Sequence, residues 1–191
     1  MRIAIVGYGS LIWDLDNLAP FIKGSWSLGT GPKMPVEFSR ISPKRKNALV
    51  LVIDHTLKHD CATNVIESNR CDLNQAVEDL AARERCGIEM VGYVDKGDAS
   101  YKAFPAVELW LKNSSFDGVV WTALPANYRL ETGGDFNHLS ARDYIKTLSL
   151  EQLAEAWRYI EYAPEVTDTP FRRFLKQDTF WQSLDFSEAA Q

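Results

Sequence analysis

The chain has no apolar run long enough to cross a membrane, no internal repeat and no low-complexity tract, and it holds only three cysteines and three histidines in 191 residues. Cys61, Cys71 and Cys86 are odd in number and follow no metal-ligand spacing, which favours free thiols in a reducing compartment. His55, His59 and Cys61 lie close together, but His55 ends a strand-like run, so the four-residue interval does not bring both rings to one helix face. No further ligand completes a set of four, so no metal is expected. Nothing in the sequence pairs a thiol with a histidine for nucleophilic chemistry. Excess positive charge is also lacking: the net charge is −5, which argues against nucleic acid or an acidic membrane as partner. The N-terminus has no basic stretch leading into an apolar one, so a cytoplasmic location is expected. Oligomeric state is left open.

What the chain has is the length for one domain over 1–191 with a full core, and an ordinary composition, 46% hydrophobic and 25% charged. Its most informative segment is the N-terminal one, from Arg2 to Trp13. Ile3 to Val6 reads as a buried strand. Gly7 and Gly9 follow one residue apart, so the loop allows unusual dihedrals or close approach of a ligand to the main chain.

Two readings compete for this loop, a dinucleotide loop and the substrate loop of another enzyme class. Gly7 and Gly9 are the first two glycines of a dinucleotide fingerprint, but Ile12 stands where the third belongs, and Pro20 comes too early for a long crossover helix. Glu37, the nearest acidic residue on a plausible second strand, lies beyond the usual spacing. Gly29-Thr-Gly31 likewise lacks the Gly-Lys-Ser/Thr of a phosphate loop. A nucleotide cofactor is therefore disfavoured, and no cofactor is expected.

Strands are predicted at Met34 to Ser39 and Ala48 to Ile53, then at Ile88 to Val94, Ala106 to Leu111 and Val119 to Ala123. Between them, Asp72 and Gln75 open a helix expected to reach about Cys86 and stop at Gly87. The last third reads as helical: Ser140 caps one helix, Ser149 with Gln152 a second, and Thr169-Pro170 opens a third. From about residue 164 the chain forms a helical extension whose aromatics, Phe171, Phe174, Phe180, Trp181 and Phe186, pack on the domain. Strands first and helices last give an α+β expectation, with a strongly twisted, mostly closed sheet (a barrel) flanked by helices.

On the helix from Asp72, Leu73, Val77 and Leu80 form an apolar stripe, and the next position on it is Glu84. Glu84 is thus predicted to face inward. Burial disfavours a carboxylate's charged form, which suits a base that must also return a proton; an ion pair with Arg83, Arg85 or a distant arginine is the plainer alternative. A basic cluster, Arg40 with Lys44, Arg45 and Lys46, is either a solvated turn around Pro43 or a rim for a carboxylate-bearing substrate.

The Gly-Tyr-Gly-Ser-Leu-Ile-Trp segment ending at Trp13, the Val36–Ser42 strand and the Leu80–Arg85 helix end together resemble the γ-glutamylcyclotransferase superfamily, closest to its ChaC-like and AIG2-like branches. Asp143-Tyr144-Ile145 is a fainter echo. The resemblance is specific over residues 3–13 and 80–93. It implies the family's fold, a cofactor-free reaction, Glu84 as the catalytic base and acid, and Tyr8, Gly9, Ser10 and Leu11 as the substrate loop. The expected reaction cyclises a small γ-glutamyl peptide or amine to pyroglutamate (5-oxoproline) with release of the amine; glutathione-like peptides are one substrate class and γ-glutamylamines another. Ala81 stands where members commonly carry aspartate, which leaves open a second reading, a γ-glutamyl-ligand-binding or regulatory protein without turnover. A third reading is a nicotinamide-nucleotide-binding oxidoreductase.

Overall fold

A computed structural model of the chain describes residues 1–97 and 104–186. The fold is mixed α+β. Among the described residues seven strands form: β1 (Ile3–Gly7), β2 (Ile22–Ser27), β3 (Val36–Ser42), β4 (Ala48–Ile53), β5 (Asn64–Ser68), β6 (Val91–Asp95) and β7 (Gly118–Thr122). The helices are α1 (Leu73–Glu84), α2 (Pro105–Asn113), α3 (Tyr128–Thr132), α4 (His138–Lys146), α5 (Leu150–Tyr162), α6 (Pro170–Leu175) and α7 (Thr179–Gln182).

The strands do not close into the expected barrel among the described residues. Five of them form a mixed sheet in the order β2-β5-β1-β7-β6, and β3 and β4 pair as a separate antiparallel ribbon. One strand expected for the barrel is a helix. Pro105 is pre-set for the first position of α2, and Val107 and Leu111, four apart, both turn into the core. Two strands went unpredicted: β2 is mostly exposed and breaks register between Lys23 and Ser27, and β5 is only five residues long.

β1 lies at the centre of the large sheet, antiparallel to β5 and parallel to β7. Its residues alternate between two cores, as strand geometry requires. Ile3 and Ile5 face the layer of Leu73, Ala76, Val77 and Leu80 on α1. Ala4 and Val6 face the β3–β4 ribbon and the C-terminal helices, through Phe38, Leu51, Ile145, Ile160 and Phe171. The C-terminal segment is thus part of that core: Phe171 and Trp181 are buried, although residues 187–191 of the expected extension lie outside the described residues.

Helix ends are largely capped by side chains. Ser149 and Gln152 make the predicted capping box of α5, and Thr169 caps α6. At α4 the cap is Asn137, with Ser140 as its reciprocal partner three residues on, so Ser140 serves inside the box rather than as the cap.

A buried carboxylate anchors α6. Glu37 of β3, the acidic residue weighed above against the dinucleotide spacing, accepts from the N–H of Phe38 at 2.9 Å and of Phe171 at 3.1 Å. His59 Nε2 stands 3.8 Å away. Burial raises the Glu37 carboxyl above its ordinary range, against the opposing pull of these donors, of Thr169 and of His59. None of the helices is long and apolar enough to cross a membrane among the described residues.

Candidate active site

Because β1 and β7 are parallel, both deliver their carboxyl ends to one edge of the sheet. The Tyr8–Leu11 loop leaves β1 there, and Thr122 ends β7 beside it. α1 packs across β6 and β7 and brings Glu84 to the same place. Tyr8, Gly9, Ser10, Leu11, Glu84, Thr122 and Tyr159 all line one cavity of about 690 Å³. The five residues singled out from sequence therefore meet in space.

Both glycines are required for space. Neither Gly7 nor Gly9 has a positive φ. A Cβ on Gly7 would lie 2.6 Å from the Trp26 ring, and one on Gly9 would lie 2.5 Å from the Tyr159 hydroxyl. After Gly9 the chain makes two short 3-10 turns, Ser10–Ile12 and Asp16–Phe21, instead of the helix a dinucleotide loop would open.

The loop is braced from several sides. The Tyr8 phenol is buried and donates to the Thr122 carbonyl at 2.6 Å. Burial, reinforced by the nearby Glu84 charge, holds its pKa well above normal. Tyr159 of α5 is pushed up to about 12, again by burial and then by Glu84, while the Ser10 and Leu51 backbone amides act on its oxygen in the opposite sense. Both phenols are neutral donors at pH 7. Leu11 turns its side chain into the core against α1, so only its main chain serves the cavity.

Glu84 is the last residue of α1. Its helix ends two residues short of the predicted Cys86, in a Schellman motif: Arg85 takes the left-handed position at φ 54°, its N–H bonds to Ala82 and that of Cys86 to Ala81. Lys44 reaches across and donates to the carbonyls of Glu84 at 2.6 Å and Arg85 at 3.1 Å. The inward position expected of Glu84 belongs to its neighbour: the Arg83 side chain is 6% exposed and that of Glu84 is 15%. The apolar stripe runs past the sheet edge, so its next residue emerges on the cavity wall.

Glu84 Oε1 accepts from Arg83 Nη1 at 3.0 Å and from Thr122 Oγ1 at 3.3 Å. No hydrogen bond reaches Oε2 among the described residues. Arg83 Nη2 goes to the loop, to Ser10 Oγ at 3.4 Å and to the Asp14 carbonyl. The ion pair weighed above is therefore present, and it lies inside the cavity.

The basic cluster is neither a loose solvated turn nor a single rim. Arg40, Lys44 and Arg45 line the cavity, whereas Lys46 pairs with Glu151 outside it. Arg45 is held by Asp14 at 3.2 Å and Glu155 at 3.5 Å. Arg40 and Lys44 bond to main-chain carbonyls and have no carboxylate within ion-pair distance among the described residues.

The three cysteines are free thiols; Cys61 is buried and its thiol is pushed up to about 12, chiefly by burial. His55 stacks on Phe104, and no group of three His, Cys, Asp or Glu side chains is arranged to hold a metal among the described residues. Sequence reasoning missed Arg83, Thr122 and Tyr159 as site residues. Arg83 was visible only as a neighbour of Glu84, Thr122 as the end of a strand, and Tyr159 as one aromatic on a helix. Comparison with family models, curated proteins and solved structures finds no match to this chain.

Proposed function

We propose that the protein is a cytoplasmic γ-glutamylcyclotransferase-like enzyme with that family's type of fold, converting a small γ-glutamyl peptide or amine to pyroglutamate with release of the amine. The observation that carries this reading is the meeting of Gly9–Leu11 with Glu84 across one cavity, although some 75 residues separate them (84 against 9). The substrate's α-amine attacks its own γ-carbonyl carbon, the new C–N bond closes the five-membered ring, and the bond to the leaving nitrogen breaks. Glu84 takes a proton from the attacking amine and returns one to the leaving nitrogen.

Oε2 is the oxygen that does this work, since Oε1 is held by Arg83 and Thr122. Ser10 and Leu11 precede the first closed bond of the 3-10 turn, from Ile12 to Gly9, so their N–H groups have no acceptor within it. That of Ser10 acts on Tyr159, which leaves Leu11 and the loop before it to meet the carboxylate or the developing oxyanion. Because the reaction is intramolecular, holding amine and carbonyl together supplies much of the acceleration. Arg40 and Lys44, without carboxylate partners, suit an acidic substrate.

A binding protein without turnover is the second reading, suggested by Ala81. Ala81, however, is buried against the sheet and does not line the cavity, so an alanine there removes no group from the cavity wall. The test is mass-spectrometric detection of pyroglutamate after incubation with a panel of γ-glutamyl peptides and amines, with Glu84→Gln alongside. Product from the wild type and a loss of about 10²- to 10⁴-fold in the variant is the expected result. Equal release from both removes Glu84 from the mechanism, and ligand binding without product favours the second reading.

A further inference from the structure

Arg83 is a buried cation that spends three of its five N–H donors on two different parts of the site. Adjacent residues on a helix point about 100° apart and do not ordinarily face one another. Here, at the last turn of α1, the Arg83 side chain nevertheless bends to Glu84 Oε1 with Nη1 while Nη2 reaches Ser10 Oγ and the Asp14 carbonyl. Its Nε is buried without a partner among the described residues, so the guanidinium is placed by the groups at its fork and not by its stem. Burying a guanidinium is costly unless its charge is paired and its hydrogens are satisfied. Two of its three acceptors, on Ser10 and Asp14, lie in the loop or in the turn that directly follows it, and the third is the proposed base.

We infer that Arg83 is a positioning residue that fixes the distance between the substrate loop and Glu84 and selects Oε2 as the proton-transferring oxygen. This rests on the cyclotransferase reading for its chemistry, but the bridge itself is a property of the fold. Lysine keeps the charge and loses the fork, since a single ammonium is a point donor and cannot hold two groups in fixed relative orientation. Arg83→Lys therefore separates charge from bridging, and Arg83→Gln, neutral and shorter, serves if the lysine variant folds poorly.

Two readouts decide it. The first is backbone hydrogen exchange across Ser10–Asp14 in full-length wild type and variant, with α1 and β1 as internal references. The second is kcat and KM on the best γ-glutamyl substrate. The expected result is a rise of about tenfold or more in loop exchange, with the references unchanged, and a fall of roughly 10- to 100-fold in kcat with little change in KM. Unchanged loop exchange overturns the bridge, whatever happens to the rate. Looser exchange with kcat intact, or a loss confined to KM, overturns the positioning role. If the wild type makes no pyroglutamate from any substrate while loop exchange still rises in the variant, the bridge stands and the cyclotransferase reading falls.

Discussion

The hydroxyl of Tyr159 sits against the α-carbon of Gly9 so closely that a methyl group on that carbon would lie 2.5 Å from the phenol oxygen. The contact joins a loop at one end of the chain to a helix near the other, and it makes the glycine a matter of clearance. Tyr159 is buried and edge-on to Trp13 and Phe38, so it has little room to withdraw.

Gly9→Ala is therefore expected to cost about 1–3 kcal/mol of stability, the usual penalty for overpacking. Tyr159→Phe removes the obstructing oxygen, and the alanine then meets only ordinary contacts, since the ring carbon beneath lies at 3.6 Å. Chemical denaturation of both single variants and the double variant checks this. The cost of Gly9→Ala shrinks markedly in the phenylalanine background if clearance is the cause, and is the same in both backgrounds if it is not.

Thr122 faces the site twice, through its carbonyl to Tyr8 and its hydroxyl to Glu84. Thr122→Val keeps the carbonyl and deletes the hydroxyl. For the proposed cyclisation, loss of that hydrogen bond, long at 3.3 Å, is expected to lower kcat about fivefold, equivalent to about 1 kcal/mol. Thr122→Ser retains the donor and is expected to keep most of the rate. Steady-state kinetics on the three proteins distinguish a hydrogen-bond effect from a packing effect.

Glu37 makes stability depend on pH. Its carboxyl titrates above the ordinary 4.5 because burial outweighs the donors around it. A raised carboxyl binds its proton more tightly folded than unfolded, so its contribution is complete below about pH 4.5 and is lost as pH rises through the raised value. Melting temperatures of wild type and Glu37→Gln, measured from pH 4 to 8, are expected to converge or cross in that sense: the wild type loses ground to the variant as pH rises. A pH-independent difference would mean that another group titrates.

Much of this was legible in the sequence, and unevenly so. β1, β4 and β7 were readable as short apolar runs rich in β-branched residues, β1 ending at Gly7 and β7 just before Pro125, and Ser149–Gln152 and Thr169-Pro170 announced two helices by cap chemistry alone. α2 was misread because Ala106 to Leu111 is apolar at nearly every position, which hides whether the period is two or near four; the proline before it carried the answer. α1 was found but its end was misplaced, since Arg85 takes a conformation that usually belongs to glycine, and a free glycine stood two residues on. In the site, the loop and Glu84 were visible as motifs. Thr122 and Tyr159 were not, because each acts through where the sheet and α5 put it, and no local pattern records that.

The parallel pairing of β1 with β7 has a consequence for how the molecule is born. Arg2 bonds to Asp117, 115 residues away, and the parallel register of the two strands runs on from that point. At ordinary synthesis rates of about 5–20 residues per second, β1 waits on the order of ten seconds before its neighbour leaves the ribosome. Until then the loop has no carbonyl for Tyr8 and Glu84 has no Thr122 to steady it. A nascent chain halted before residue 118, or one cut there by a protease, is expected to hold every residue of the Gly-Tyr-Gly-Ser-Leu loop and the glutamate together with them, and yet no pocket.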